Sequence, residues 1–123
     1  MADNNGGGKL TTHVLDTARG CPAAGLKIEL FDLENPSNTP LVSAVTNNDG
    51  RCDAPMRDAT NFRNGRYELR FHVSDYFKTH DIVEENGQFL DVVPIQFVVA
   101  DENSHYHVPL LVSPYGFSTY RGS

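Results

Sequence analysis

Basic residues are the minority among the charged residues of this sequence. Ten lysines and arginines stand against sixteen aspartates and glutamates, so the formal net charge is −6 at pH 7. Nucleic acids and anionic membrane surfaces are bound mainly through basic protein surface. The charge balance therefore argues against both as main partners, and an anionic substrate would need a local cationic pocket.

Cysteines and long apolar runs are also scarce. The two cysteines, Cys21 and Cys52, are too few for a disulfide scaffold and fit a reducing compartment at least as well. No apolar run approaches the roughly 20 residues that span a bilayer. The opening MADNNGGGKL lacks the pattern of a secretory signal. We expect a cytoplasmic protein with no membrane partner.

The sequence does have apolar residues that alternate with polar ones in four stretches. These stretches cover residues 10–15, 26–30, 67–73 and 105–112. A period of two is that of a β-strand with one face on a core. Turn-forming residues separate the stretches, and one short helix is predicted from Ser74 to His80, with Ser74 or Asp75 as its N-cap. The pattern indicates an all-β sandwich.

A single domain accounts for most of the chain. Residues 1–8 are polar and rich in glycine, and such a segment cannot bury enough apolar surface to fold. We predict a disordered tail over residues 1–8 and one domain over residues 9–123.

Two of the five histidines share an unusual position in the alternating pattern. His13 and His107 each lie opposite the apolar residues of their strands, so both are expected on the outer face of a sheet. A single histidine of this kind is most often a solvated surface residue. Two of them on different strands could converge on one cleft, although periodicity alone does not establish this.

Other kinds of catalytic site have weaker support. The spacing His105-x-His107 suits two zinc ligands on one strand face, and His13 could supply a third. No Cys-x-x-Cys or His-Glu-x-x-His motif supports a metal site, so none is predicted. The sequence has no Gly-x-Ser-x-Gly elbow, and both cysteines are interpreted as structural thiols. Arg51, taken by itself, is typical of a solvated surface residue.

Three motifs, in order along the chain, carry a resemblance to a known family. The first combines Thr12–Asp16 with Arg19-Gly20 and Pro22-Ala23, the second is His105–Gly116, and the third is the terminal Tyr120–Ser123. Together they resemble the signatures of the transthyretin-related 5-hydroxyisourate hydrolases. The final tetrapeptide is the feature that separates these hydrolases from true transthyretins, which bind thyroid hormone.

The resemblance implies a fold and a reaction. The implied fold is a transthyretin-like β-sandwich of two four-stranded sheets with one short helix. The implied reaction is hydrolysis of 5-hydroxyisourate to 2-oxo-4-hydroxy-4-carboxy-5-ureidoimidazoline in urate degradation, with no cofactor and no metal. The implied assembly is a homotetramer, a dimer of dimers with its active sites at the interface between dimers.

The resemblance also assigns residues to the site. His13, Arg51, His107 and Ser123 fall on the family's catalytic positions, and substrate would be bound by His13, Arg51 and Tyr120. Two other functions stay open. The chain could be a non-catalytic, transthyretin-like binding protein for a small molecule, or a hydrolase that uses the same histidines as zinc ligands.

Overall fold

The computed structural model describes residues 7–80 and 87–122, which form eight strands and one short helix. The elements are, in chain order, β1 Lys9–Asp16, β2 Cys21–Pro22, β3 Lys27–Asp32, β4 Val42–Val45, β5 Gly65–His72, α1 Val73–Thr79, β6 Val92–Val99, β7 His105–Ser113 and β8 Gly116–Thr119.

The strands form two four-stranded sheets. Sheet A has the order β2-β1-β7-β8, and sheet B has the order β4-β3-β5-β6. Neighbouring strands are antiparallel except β1 and β7, which run parallel. The predicted all-β architecture of two four-stranded sheets and one short helix is confirmed.

The core lies between the two sheets and is filled by alternate residues of their strands. Leu10 and Val14 of β1 and Leu110 and Val112 of β7 are fully buried. Thr11 and His13, which have the opposite parity on β1, are only partly buried, as expected for a strand with one face on the core. The four alternating stretches of the sequence therefore correspond to β1, β3, β5 and β7.

The helix begins earlier than predicted, and its N-cap is not a serine or aspartate. His72 is the N-cap and makes no side-chain capping bond, because β5 runs into α1 without a loop and His72 still pairs with Val92 of β6. The backbone N–H of Ser74 is satisfied instead by the carbonyl of Asp91, at 3.1 Å. The assignment of Ser74 or Asp75 as N-cap was wrong.

The fold includes one residue of the predicted tail. Gly8 is buried, and its backbone N–H donates to the carbonyl of Glu102 at 3.0 Å. A Cβ at this position would lie 2.2 Å from the carbonyl oxygen of Ser104, so only glycine fits this approach. Residues 1–6 of the predicted tail lie outside the described residues, and their disorder stays a prediction.

The helical content of the structure is small. In the described ranges, no helix is long and apolar enough to cross a membrane.

Candidate active site

The parallel pairing of β1 and β7 brings five polar side chains together on the outer face of sheet A. Thr11 is the register partner of His107, and Lys9 is the partner of His105. His13 follows Thr11 by two residues and therefore lies on the same face. The ring centroids of His13 and His107 are 6.5 Å apart. The prediction that both histidines lie off the core is confirmed, and the structure shows that they converge.

A tight turn brings Arg51 to the same place from the middle of the chain. The side-chain oxygen of Asn47 accepts hydrogen bonds from the backbone N–H groups of Asp49 and Arg51, at 2.9 and 3.2 Å. Gly50 has a φ of +74°, and its carbonyl accepts the N–H of Val14 at 2.8 Å. This docks the turn on β1, so that Arg51 forms an isolated β-bridge with His13.

The end of the chain returns to the same histidines. The backbone N–H of Gly122 donates to the carbonyl of His107 at 2.7 Å. Arg121 places its guanidinium 3.9 Å from the ring centroid of Tyr106 and donates to the carbonyl of His105 at 3.2 Å. Arg121 therefore anchors the tail to β7 and does not point into the site.

These three segments surround an open cavity of about 550 Å³. That volume lies within the range of about 300–1,000 Å³ that is usual for small-molecule sites. The cavity is lined by Lys9, Thr11, Thr12, His13, Arg51, Cys52, Ala54, His105, His107, Tyr120 and Gly122.

The histidines of the cavity are biased towards their neutral form. Burial lowers the pKa of His107, and the positive charge of Arg51 lowers it further. Burial and Arg51 also lower the pKa of His13, while the backbone and the charge of Asp49 act in the opposite direction. A neutral imidazole near pH 7 can accept a proton, which an imidazolium cannot do. The cavity therefore places two potential bases, His13 and His107, beside the cation Arg51.

The structure brings together most, not all, of the residues proposed from the sequence. His13, Arg51, His107 and Tyr120 all line the cavity, and Tyr120 is 60% exposed there. Ser123 lies outside the described residues. In the part of the chain that is described, no group of three or more His, Cys, Asp and Glu side chains is placed to hold a metal ion.

Sequence reasoning missed Thr11, Lys9 and Gly122 as cavity residues. A signal for Thr11 and Lys9 was present, because both share the parity of His13 on β1. The signal for Gly122 was its place in the terminal motif, between Arg121 and Ser123.

The fold and the cavity define a class: a transthyretin-type β-sandwich whose outer sheet face carries a pair of histidines and an arginine. Residues 10–122 match the model of the HIUase/Transthyretin family. The chain belongs to this family. It is 53% identical over 116 residues to 5-hydroxyisourate hydrolase 2 of Rhizobium meliloti, covering 94% of this chain and 97% of the relative. It is 56% identical over 117 residues to a 5-hydroxyisourate hydrolase of Mesorhizobium japonicum, covering 95% and 94%.

Solved structures give the same picture. The 5-hydroxyisourate hydrolase of Klebsiella pneumoniae superposes with a TM-score of 0.78 at 33% identity, over 94% of both chains. An (S)-allantoin synthase superposes with a TM-score of 0.88 at 41% identity over the whole of this chain. This chain spans only 46% of the length of that synthase chain.

Proposed function

We propose that this protein hydrolyses 5-hydroxyisourate to 2-oxo-4-hydroxy-4-carboxy-5-ureidoimidazoline, a step of urate degradation. The observation that carries the proposal is the convergence of His13, His107 and Arg51 on one cavity from distant parts of the chain. The relatives that bear the name 5-hydroxyisourate hydrolase share about half of this sequence over nearly its full length, which supports the same conclusion.

Hydrolysis of a cyclic amide needs an activated water molecule and stabilisation of the charge that develops on the carbonyl oxygen. His13 and His107 are suited to the first task, since burial and Arg51 hold their pKa values below the usual value and keep the rings neutral. Arg51 is suited to the second, because its planar guanidinium binds two oxygens at once. In this mechanism the histidines position and deprotonate the water, and no metal or cofactor takes part.

The tail completes the site in this proposal. Tyr120 lines the cavity and would hydrogen-bond the substrate at its rim. Ser123 follows Gly122 directly in the sequence, and the backbone N–H of Gly122 donates to the carbonyl of His107, the proposed base. We assign the Ser123 hydroxyl a hydrogen bond to substrate and expect Ser123→Ala to lower turnover with the melting temperature unchanged.

The proposal includes a homotetramer, built as a dimer of dimers with the sites between dimers. Strands β6 and β8 each form one edge of their sheet, and Val98 and Phe117 on these strands are 62% and 45% exposed. Exposed edges with apolar side chains favour pairing with another chain. Light scattering coupled to gel filtration should give four times the mass of one chain.

The cytoplasmic location expected from the sequence stays a prediction.

The decisive experiment follows the ultraviolet absorbance of freshly prepared 5-hydroxyisourate. Added protein should speed its loss well above the spontaneous rate, and this activity should survive prolonged chelation. An unchanged rate at saturating protein would contradict the hydrolase and favour a non-catalytic binding protein. Activity that is lost on chelation and restored by zinc would favour the zinc hydrolase.

A further inference from the structure

A threonine hydroxyl lies between two imidazoles at the edge of the cavity. The Oγ1 of Thr11 is 2.7 Å from Nε2 of His105 and 2.8 Å from Nδ1 of His107. The strand register produces this arrangement, because Thr11 pairs with His107 and lies diagonally across from His105. Both distances are those of good hydrogen bonds.

The Thr11 hydroxyl has only one proton, so its hydrogen bonds to the two imidazoles depend on each other. A threonine hydroxyl has one proton to donate and two lone pairs to accept. It can therefore donate to one imidazole only, and the other imidazole must then donate to it. When both rings are neutral, the tautomer of His107 is set by that of His105 through Thr11.

We propose that His105, Thr11 and His107 form a proton relay in which Thr11 fixes the tautomer of His107 and His105 takes up the proton of the attacking water. This inference rests on the proposed hydrolase function. It assigns Thr11 and His105, neither of which is among the family positions above, as positioning residues that act through His107. Because Thr11 occupies Nδ1 of His107, the nitrogen that acts on water is Nε2.

The proton transfers balance at each step. In the resting state His107 donates from Nδ1 to Thr11, and Thr11 donates to Nε2 of His105. The water then gives a proton to Nε2 of His107, the Nδ1 proton passes to the Thr11 oxygen, and the Thr11 proton passes to His105. The resulting hydroxide attacks the amide carbon, which leaves an oxyanion on the substrate and an imidazolium at His105. The reverse shift returns the proton through His107 to the leaving nitrogen.

Burial and nearby positive charges lower the pKa of both rings. The pKa of His107 is lowered by burial and then by the charges of Arg51, His105 and His13. The pKa of His105 is also lowered by burial and then by Lys9 and Arg121. His105 is the exposed end of the chain of hydrogen bonds and His107 the partly buried end. Moving the proton to His105 therefore carries positive charge from the more buried ring to the more exposed one.

The test replaces the hydroxyl and keeps the shape of the side chain. Thr11→Val should lower kcat about 10-fold to 100-fold with KM little changed, by analogy with the loss of a hydrogen-bond partner that orients a metal-bound histidine. Thr11→Ser keeps the hydroxyl and should restore most of the rate. Thr17→Val is the matched control, since it removes a β1-end hydroxyl that bonds β7 outside the cavity.

Two readouts separate a relay from a merely structural hydroxyl. The dependence of kcat on the deuterium content of the solvent should indicate several moving protons in the wild type and only one in Thr11→Val. The ¹⁵N shifts of the His105 and His107 rings should change together in Thr11→Val and stay unchanged in Thr17→Val. Wild-type kcat, an unchanged isotope dependence and unchanged ring shifts in Thr11→Val would overturn the relay.

The function and the relay can fail separately. If the wild-type protein does not accelerate hydroxyisourate decay, the proposed function fails and with it the catalytic role of the relay. The ring ¹⁵N shifts then still test the hydrogen-bonded bridge on which the relay depends, since they require no substrate.

Discussion

The outer faces of the two sheets both carry histidine and arginine, yet they use them differently. On sheet B, Nε2 of His72 lies 2.6 Å from a carboxylate oxygen of Glu29. Arg70 is held by Glu68 and lies over the ring of Phe31. Both side chains there contact a carboxylate of their own sheet.

The outer face of sheet A shows the opposite arrangement. Burial and the cation Arg51 lower the pKa of both His13 and His107. Groups with perturbed pKa values in a cavity are typical of functional sites, because catalytic acids and bases need pKa values matched to their reaction. The difference teaches that the environment of a histidine, rather than its presence on a sheet face, distinguishes a candidate base from a structural residue.

The largest expected effect comes from removing the sheet A histidines. His13→Asn or His107→Asn should lower kcat about 10²-fold to 10⁴-fold, the usual contribution of a general acid–base group. Neither change should unfold the protein, because both side chains lie off the core. His72→Asn is the matched control on sheet B and should leave turnover of hydroxyisourate close to wild type. If all three variants lost activity equally, the contrast between the two faces would be wrong.

The next effect comes from the glycine that touches His107. A Cβ on Gly122 would lie 2.6 Å from Cδ2 of His107, so Gly122→Ala must displace either the ring or the tail. A displacement of about 1 Å can lower a rate about 10²-fold. Gly116→Ala is the control, since its nearest neighbour would be 4.0 Å away. Steady-state kinetics and melting temperatures of both variants check this, and normal turnover in Gly122→Ala would show that the close contact is not needed.

Arg51 offers a sharper test of the electrostatic contrast. Arg51→Gln removes the second cause of the lowered pKa values, so the pKa values of His13 and His107 should rise towards the usual value of about 6.5. His105 is the internal control, because its charged neighbours are Lys9 and Arg121. Titration of the ring protons by NMR would measure all three. Equal shifts at His105 would indicate a general change of conformation.

Arg51→Gln should also alter how the stability of the fold changes as the pH falls. A histidine with a lowered folded-state pKa binds fewer protons when folded than when unfolded, so it costs stability as the pH falls through about 6.5 towards the folded value. Above that range both states are neutral and the cost vanishes. When the pH is lowered from 7.5 to 5.5, the melting temperature of Arg51→Gln should therefore fall by less than that of the wild type. A larger loss in the variant would contradict the assigned direction of the pKa shifts.

The smallest effect is expected on sheet B. Glu29→Gln weakens the hydrogen bond to His72, a partly buried contact, and should lower the free energy of unfolding by about 1 kcal/mol. Turnover should stay at the wild-type level, since Glu29 lies on the face away from the cavity. Urea unfolding measures the change in stability, and steady-state kinetics measure turnover. A loss of activity would show that the contact on sheet B affects the site on sheet A.

Alternation along the sequence was enough to predict four strands and the outward direction of His13 and His107. It could not predict β6, because this edge strand is apolar on both faces, with Val98 exposed and Val93 buried, and contains Pro94. It also could not predict that β1 and β7 are parallel neighbours. Their register places Thr11 beside His107, so the contacts of Thr11 with His105 and His107 were visible only in the structure.

The helix N-cap and the position of Arg51 show a second limit of the sequence. Local propensity favoured a capping serine or aspartate, but β5 passes directly into α1, and the carbonyl of Asp91, just before β6, accepts the N–H of Ser74 instead. Arg51 is brought to the site by the docking of a turn on β1, which depends on contacts between residues 36 positions apart, such as Val14 and Gly50. Such contacts leave no local pattern, and the resemblance to a family was needed to single out Arg51.

The parallel pairing of β1 and β7 has a consequence for folding during synthesis on the ribosome. Thr11 and His107 are 96 residues apart along the chain. At about 5–20 residues per second, β1 waits roughly 5–20 s for the strand that completes its sheet. During that time the β7-facing edge of β1 is unpaired and can pair with the edge of another strand. We expect a bound chaperone or the strands of sheet B to cover it until β7 is made. A polypeptide interrupted before residue 105 would contain His13 and Arg51 and still have no site.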